Sequence, residues 1–198
     1  MKRIIHTIIG SAVLAALCMT PPQRANADDS KDPTAFQLIK ESNRYVGEDA
    51  KDKIVQIRSE KSIGTMTPMI WYVVHYDQDA TAKATEVKFG AGQKLTVKRP
   101  GRVFEFAGKD YLPMDRDKLK IDSDRALETA MKDPQLKHLK LVASRMSLQA
   151  WEGGPTWRVR LWAAKLRNPN KDADLGELFI SAETGKVLRN DLHIERVD

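Results

Sequence analysis

The stretch from Thr156 to Leu188 constrains the fold more than any other part of the chain. It begins with residues 156–162 (Thr-Trp-Arg-Val-Arg-Leu-Trp), in which apolar and polar residues alternate. A polar loop follows, and a short apolar run from Leu178 then leads into a Glu-Thr-Gly-Lys turn at residues 183–186. Alternation with a period of two is typical of a strand that buries one face. The stretch therefore predicts two antiparallel strands of a sheet with one solvated face.

The N-terminal segment is typical of a secretory signal peptide, residues 1–27, and not of a folded domain. Lys2 and Arg3 precede an apolar run at residues 4–19, Pro21-Pro22 ends that run, and residues 25–27 (Ala-Asn-Ala) suit a signal peptidase. We expect cleavage after Ala27 and a periplasmic or secreted protein. The run is shorter than the roughly 20 apolar residues that a membrane span needs, so we expect no stable membrane insertion after cleavage.

Cys18 is the single cysteine of the chain. Lipid attachment to Cys18 is the alternative to a free secreted protein, but bulky Leu17 stands where such a site uses a small residue. Cleavage after Ala27 removes Cys18, which excludes disulfides, thiol catalysis and thiolate metal sites together. The mature chain must be held by packing alone, and its length allows this because a chain of about 150 residues buries some 70% of its unfolded surface.

The charge of the mature chain is mildly basic. Removal of Lys2, Arg3 and Arg24 with the signal peptide lowers the formal net charge from +6 to +3, since residues 1–27 contain no acid. The basic cluster at residues 98–102 (Lys-Arg-Pro-Gly-Arg) interrupts a strand-like region and is typical of a solvated turn. We therefore expect no nucleic-acid partner.

The sequence contains few candidates for chemistry. The histidines of the mature chain, His75, His138 and His193, lie far apart, so we expect no metal site from them. Oxygen-bearing side chains recur between residues 168 and 177, but their spacing does not match a calcium loop and favours a solvated hairpin loop. They are Asn168, Asn170, Asp172, Asp174 and Glu177. The sequence has no His-Glu-x-x-His motif and no serine in a nucleophile elbow. We expect neither a cofactor nor enzyme activity.

Two amphipathic helices, each followed by several strands, account for the rest of the chain. We predict a helix from Pro33, capped by Asp32, to Gly47, and a second helix that Ser123 caps and Asp133-Pro134 ends. The predicted strands of the first half lie at residues 53–61, 70–77, 85–89 and 94–97, with a further pair near 102–106 and 111–112. Those of the second half lie at residues 139–148, in the stretch from 156 to 188, and at 189–197.

The two halves align with one another. Residues 70–76 match residues 156–162, with Trp71 on Trp157 and Val73 on Val159. Each half then contains a helix, strands and turns in the same order, which is typical of a tandem duplication. We therefore predict an α+β fold of two repeats, residues 28–114 and 115–198, each with a helix packed on one face of a small antiparallel sheet.

Residues in the second half resemble the PepSY domain family, which occurs in propeptides of secreted metallopeptidases and in many exported bacterial proteins. The similar residues are Ser123, Ala126, Leu127 and Ala130 for the family's helix, residues 156–159 for its central strand, and residues 179–188 (Phe-Ile-Ser-Ala-Glu-Thr-Gly-Lys-Val-Leu) for its closing motif. The resemblance covers residues 122–192 and reaches residues 33–95 through the repeat, where residues 90–94 (Gly-Ala-Gly-Gln-Lys) replace the Thr-Gly-Lys turn.

The resemblance implies a helix on a small antiparallel sheet and a protein that binds or restrains another protein, often a peptidase. Tandem units of this kind are also similar to secreted β-lactamase inhibitor proteins, which hold an enzyme against a concave sheet. Neither family implies a catalytic residue for this chain, and a fold alone does not establish a target.

The register of the two matching strands divides their side chains between two faces. Trp71, Val73, His75, Trp157, Val159 and Leu161 lie on the face that we expect to pack under the helices. The opposite face carries our candidate partner-binding residues, which are Tyr72, Val74, Tyr76, Arg158, Arg160 and Trp162. Aromatic residues and arginines on an open face favour protein binding. The alternatives are that these residues are covered, or that the register is shifted by one residue.

Two functions fit this prediction. The first is an exported, non-catalytic binding protein that inhibits or regulates a secreted or envelope peptidase, or another protein, through the open sheet face. The second is an envelope module that binds a small molecule or a cell-wall fragment between the repeats. A deep apolar cleft would favour the second function, and a broad, shallow sheet face would favour the first.

Overall fold

One antiparallel sheet with alternating burial organises the molecule. The computed structural model describes residues 32–99 and 112–198, which contain two α-helices and eight strands. The helices are α1 (Ala35–Ser42) and α2 (Ser123–Met131). The strands are β1 (Ile54–Ser59), β2 (Ile70–Tyr76), β3 (Ala84–Gly90), β4 (Gln93–Lys98), β5 (Leu141–Trp151), β6 (Gly154–Ala164), β7 (Asp172–Ser181) and β8 (Val187–Leu192). Their order across the sheet is β4-β3-β2-β1-β5-β6-β7-β8.

The prediction of two tandem repeats, each with a helix on its own small sheet, is wrong. β1 pairs with β5 in the middle of the sheet, with Ile57 opposite Leu148, so all eight strands form one continuous sheet. The pairing satisfies backbone groups on two strands that would otherwise be exposed edges, which is why one large sheet forms. Both helices contribute side chains to one hydrophobic core, and Phe36 of α1 stacks on Trp157 of β6 with ring centroids 6.4 Å apart.

The side chains that we predicted to face the helices are buried. Those of Trp71, Val73, His75, Trp157, Val159 and Leu161 are each at most 3% exposed. The two indole N–H groups also find acceptors, since Trp71 donates to the Pro68 carbonyl and Trp157 donates to the Ile121 carbonyl. Burial of large rings with paired N–H groups makes this face the core of the molecule.

The N-terminal ends of the two helices are hydrogen-bonded to each other. Thr34 caps α1 in a capping box with Gln37, and Asp122 caps α2, so the predicted caps Asp32 and Ser123 are wrong. The Ser123 hydroxyl instead accepts a hydrogen bond from the Ala35 N–H at 3.0 Å, and Asp122 Oδ1 accepts one from the Phe36 N–H at 3.1 Å. The N–H groups that begin α1 are therefore satisfied by α2.

Most predicted strands are present, with shifted ends. The polar loop expected after Trp162 is shorter than predicted, because β7 begins at Asp172 and residues 172–177 belong to the sheet. Buried Ala173 and Leu175 alternate with more exposed neighbours there. The predicted signal peptide, Cys18 and the strand pair near residues 102–106 and 111 lie outside the described residues.

The two edge strands are exposed and carry charge. Every residue of β4 is exposed, including Lys94 and Lys98. At the other edge, residues 187–190 of β8 are exposed, and Arg189 forms an ion pair with Asp191 at 2.6 Å. Neither edge is covered by another described strand.

His75 is fully buried between β1 and the segment that follows α1. Its Nδ1 hydrogen-bonds the Ala50 carbonyl at 3.0 Å, and its Nε2 lies 2.7 Å from the Ser42 hydroxyl. A carbonyl only accepts, so Nδ1 carries the hydrogen. The Ser42 hydroxyl lies 2.7 Å from both Nε2 and the Ile39 carbonyl, and its one hydrogen can be donated to either of them. Burial lowers the pKa of His75 below its ordinary value, although the Ala50 carbonyl favours the charged form.

We predict that His75 makes folding sensitive to mild acid. The unfolded chain binds a proton near pH 6.5 while the buried ring stays neutral, so the free energy of unfolding decreases as the pH falls below about 6.5. The contribution of one proton is at most about 1.4 kcal/mol per pH unit. Urea unfolding between pH 5 and 7 should show a shallower decrease in His75→Gln than in the native protein. His138→Gln, which changes an exposed histidine, should keep the native slope; an unchanged slope in His75→Gln would contradict the prediction.

Gly176 allows β8 to approach β7 closely. Its φ is +95°, and a Cβ atom there would lie 2.1 Å from the Asp191 carbonyl oxygen. The β6–β7 register shifts next to it, after Leu161. Gly153, in the turn between β5 and β6, has a similar φ of +87° but no atom within 4 Å of an added Cβ. Alanine substitutions at the two glycines therefore separate the cost of a left-handed backbone from the cost of a steric clash.

We predict that Gly176→Ala destabilises the protein far more than Gly153→Ala. The left-handed backbone alone should cost Gly153→Ala about 1–3 kcal/mol. Gly176→Ala should lose at least about 2 kcal/mol more, because β7 and β8 must separate to accept the methyl group. Chemical unfolding of both variants measures the difference, and equal losses would show that β8 moves freely.

Candidate functional site

The face of the sheet opposite the helices, which we call the outer face, carries the predicted partner-binding residues. A row of side chains crosses it from strand to strand. Cross-strand pairing places Tyr72 opposite Arg58, Arg58 opposite Ser147, Ser147 opposite Arg158, and Arg158 opposite Phe179. This row exists because β1 and β5 are neighbours, so residues from both halves of the chain lie side by side.

Three aromatic rings on the outer face each contact two cationic side chains. The contacts are Arg58 (4.1 Å) and Lys88 (4.9 Å) with Tyr72, Arg158 and Arg189 (both 5.4 Å) with Phe179, and Lys61 (4.5 Å) and Arg160 (5.7 Å) with Trp162. Cations within about 6 Å of a ring centre are attracted by its π electrons. Rings and cations therefore hold one another in place along the face.

Ion pairs fix two arginines of β6. Arg158 makes two hydrogen bonds to Glu177, at 2.9 and 3.0 Å, and Arg160 lies 2.6 Å from an Asp174 oxygen. Burial opposes the ionisation of Asp174, but hydrogen bonds from Arg160 and the Gly176 N–H outweigh it and lower the pKa of Asp174. These pairs are partly exposed and add little stability, so their main effect is to orient the guanidinium groups.

A second set of pairs holds the β1–β3 side of the face. The Tyr72 hydroxyl donates to the Glu60 carboxylate and thereby lowers the pKa of Glu60, and Lys88 Nζ lies 3.2 Å from the same group. Arg58 lies 2.5 Å from Glu86. Burial raises the pKa of Glu86, and Arg58 offsets part of that rise.

The centre of the outer face contains a cavity of about 120 Å³, which we call the central depression. Four arginines and one carboxylate lie around it, together with two glutamines and a serine. The lining side chains are Gln56, Arg58, Arg145, Ser147, Gln149, Arg158, Arg160 and Glu177. Glu86, Glu177 and Asp174 pair with three of the arginines, so one guanidinium group is in excess and makes the depression mildly attractive to an anion.

Two groups in the central depression are incompletely paired. Arg145 stands directly opposite Arg160 across β5 and β6, and it forms no ion pair with any described residue. Gln56 is only 2% exposed; its Nε2 donates to Gln149 at 2.8 Å, while its Oε1 has no hydrogen-bond partner within the part of the chain that the structure describes.

The six predicted partner-binding residues lie in different places on the outer face. Arg158 and Arg160 line the central depression, and Tyr72 lies next to it beside Arg58. Tyr76 and Trp162 are half-buried at opposite ends of the strands. Val74 is 1% exposed, so its side chain is not available to a partner.

Sequence reasoning missed the contribution of β1 and β5 to this site. Arg145, Ser147 and Gln149 alternate with buried Met146 and Leu148, which is the signal that marks an outward-facing set. The alternation alone could not place these three residues in one site with Arg58 and Gln56, because their position depends on the pairing of strands far apart in sequence. Arg58 and Gln56 join the site for the same reason.

The three carboxylates among the oxygen-bearing side chains considered for calcium are engaged in ion pairs. Asp172 pairs with Lys61, and Asp174 and Glu177 pair with the arginines of β6. Across residues 32–99 and 112–198, no three His, Cys, Asp or Glu side chains gather in a way that could hold a metal ion. None of the described helices has the length and apolar character needed to cross a membrane.

Comparison with known proteins finds no relative. No model of a protein family matches the chain, and no curated protein or solved structure matches it either.

We predict that Arg145→Gln raises the stability of the protein. Like charges on directly opposed strand positions repel, and removal of one should raise the free energy of unfolding by about 0.2–1 kcal/mol at low salt. The gain should shrink in 0.5 M NaCl because the repulsion is screened. Arg167→Gln, in the exposed loop after β6, removes the same charge away from the depression and should leave stability unchanged. A loss of stability in Arg145→Gln would show that Arg145 has a stabilising partner.

Proposed function

We propose that this chain is an exported, non-catalytic binding protein that holds an acidic surface of another protein against its outer face. The observation that carries the proposal is the row of aromatic and cationic side chains across the outer face, which ion pairs and cation–aromatic contacts keep in place. Rigid aromatic and arginine side chains bury much area and lose few rotamers on binding, as strong contact residues do.

Charge favours an acidic partner. Four arginines line the central depression, three of them pair with Glu86, Glu177 and Asp174, and Arg145 leaves one positive charge in excess. The mature chain is also basic overall. A positive patch attracts an acidic surface and speeds its association. The resemblance to PepSY domains supports a secreted or envelope peptidase as that partner, and residues 1–27 support export.

The alternative function, recognition of a small molecule or cell-wall fragment in a deep apolar cleft, has less support. Pockets for whole small molecules usually measure about 300–1,000 Å³ and are lined mainly by apolar groups. A hollow of about 450 Å³ between residues 61–64 and residues 142–172 is broad and open to solvent and is not a deep apolar cleft. The central depression measures about 120 Å³ and is surrounded by charged and amide side chains. It is therefore suited to one chemical group of a larger partner.

The absence of catalysis is part of the proposal and rests on the state of the charged groups. Hydrogen bonds lower the pKa of Asp174 against the effect of burial, and the Tyr72 hydroxyl lowers the pKa of Glu60, whereas a general acid needs a pKa raised towards neutral. Burial raises the pKa of Glu86, but this carboxylate is paired with Arg58.

We predict that Tyr72→Ala combined with Trp162→Ala weakens capture of the partner at least about tenfold, because both rings are half-buried contact groups on the outer face. The measurement is affinity capture from an envelope extract, identification of the bound protein, and titration of that protein at several salt concentrations. An acidic partner should bind more weakly as the salt concentration rises.

Tyr45→Ala provides the matched control. Tyr45 is also half-buried, but it packs on Phe89 on the helix side of the sheet. It should retain partner binding. The thermal midpoint of the double variant should stay close to that of the native protein, whereas that of Tyr45→Ala should fall because its ring packs against the core, so binding is compared well below both midpoints. A captured protein that binds both variants equally would contradict the proposal.

A further inference from the structure

We propose that one end of the sheet docks on the surface of an anionic lipid bilayer. This end, which we call the loop end, consists of residues 61–64 between β1 and β2, residues 137–140 before β5, and residues 165–171 between β6 and β7. It is a different surface from the outer face, so this docking goes beyond the proposed function and does not rest on it.

Backbone contacts bring the three segments of the loop end together. The Ala164 N–H donates to the Lys140 carbonyl, and the Lys165 N–H donates to the Lys171 carbonyl, both at 2.9 Å. Because hydrogen-bonded strands lie about 4.8 Å apart, these three lysines start from adjacent backbone positions. Residues 61–64 line the same hollow as residues 169–172. The loop end is therefore one surface, although its segments are far apart in sequence.

Positive charge is concentrated at the loop end. Residues 137–140 and 165–171 contain no acid and five cationic side chains, which are Lys137, Lys140, Lys165, Arg167 and Lys171. None of the five forms an ion pair with a described residue, and the nearby Asp172 is already paired with Lys61. Five cations exceed the net charge of +3 of the mature chain, so the rest of that chain is acidic on balance. The loop end therefore attracts anionic headgroups.

Two large aliphatic side chains project from the same surface. Ile63 is 89% exposed and Leu166 is 62% exposed, and Leu166 stands between Lys165 and Arg167 in the sequence. A bilayer has anionic headgroups with an apolar layer directly beneath them, so it can receive the cations and the aliphatic side chains together. An acidic protein surface would pair with the cations and leave both aliphatic side chains in water.

Hydrogen bonds hold both aliphatic residues in their exposed positions. Beside Ile63, buried Ser62 donates its N–H to the Ser144 carbonyl at 2.8 Å and accepts the Ser144 N–H on its hydroxyl at 2.9 Å. The Leu166 N–H donates to the carbonyl of buried Val197 at 2.8 Å. Because the backbone is already fixed on both loops, docking orders little more of it, which favours binding.

Sedimentation with lipid vesicles tests the proposal. We expect the native protein to bind vesicles that contain phosphatidylglycerol and not vesicles of phosphatidylcholine alone. The affinity should fall at least about tenfold between about 0.1 M and about 0.5 M NaCl, because salt screens the attraction.

Substitutions at the loop end should separate its two contributions. Ile63→Ser combined with Leu166→Ser should weaken vesicle binding at least about tenfold, because apolar burial is lost. Leu188→Ser, which removes an exposed leucine from β8 near the opposite end of the sheet, should keep the native affinity.

The matching charge variant is Arg167→Gln combined with Lys171→Gln, which should weaken vesicle binding about tenfold or more. Lys118→Gln combined with Lys186→Gln removes two charges near the opposite end of the sheet and should bind as the native protein does. Urea unfolding of each variant confirms that it is folded.

A fluorophore on the loop reports whether an aliphatic residue enters the bilayer. The mature chain has no cysteine, so Leu166→Cys can be labelled at a single position with an environment-sensitive dye. Its emission should shift to the blue on phosphatidylglycerol vesicles, and that of labelled Leu188→Cys should not.

Three results would overturn the proposal: no binding to phosphatidylglycerol vesicles, equal binding to both kinds of vesicle, or native affinity in the two loop-end variants. Loss of partner capture in those variants, without any vesicle binding, would instead assign the loop end to a protein interface. Partner capture is measured without vesicles, so a failure of the proposed function is distinguishable from a failure of membrane docking.

Discussion

The pairing of β1 with β5 is the interaction on which the rest of the structure depends. Only three residue pairs form it, with Gln56, Ile57 and Arg58 opposite Gln149, Leu148 and Ser147. Its inward pair joins the two parts of the hydrophobic core, because Ile57 and Leu148 are fully buried. Its outward pairs line the central depression. The same short ladder therefore joins the sheet, completes the core and assembles the candidate site.

The alternation of side chains across the sheet links stability to recognition. On β6, Trp157, Val159 and Leu161 pack under the helices, and the residues between them face outwards as Arg158 and Arg160. A one-residue slip of this strand would bury the arginines and expose the tryptophan. The buried face thus fixes the register, and the register fixes the position of every charged group on the outer face.

Much of the local structure is predictable from sequence. The period of two in residues 156–162 predicts both the strand and its buried face, because burial alternates with each residue. The helices follow from their apolar stripes, although their caps differ: the Ser123 hydroxyl bonds to α1, and no local pattern reports a contact between residues 88 positions apart.

The site is less predictable than the strands. Arg158 and Arg160 follow from the outer-face pattern, and they do line the central depression. Val74 follows the same pattern yet is buried, since its strand neighbours Gln56 and Glu86 are also buried on that face. The role of β5 depends on a neighbour far away in sequence, and the resemblance between the two halves favoured separate sheets over one.

The exposed edges have a further consequence. If the β4 edges of two molecules came together, Lys94 and Lys98 of one would approach the same lysines of the other, and this repulsion opposes edge-to-edge association through β4.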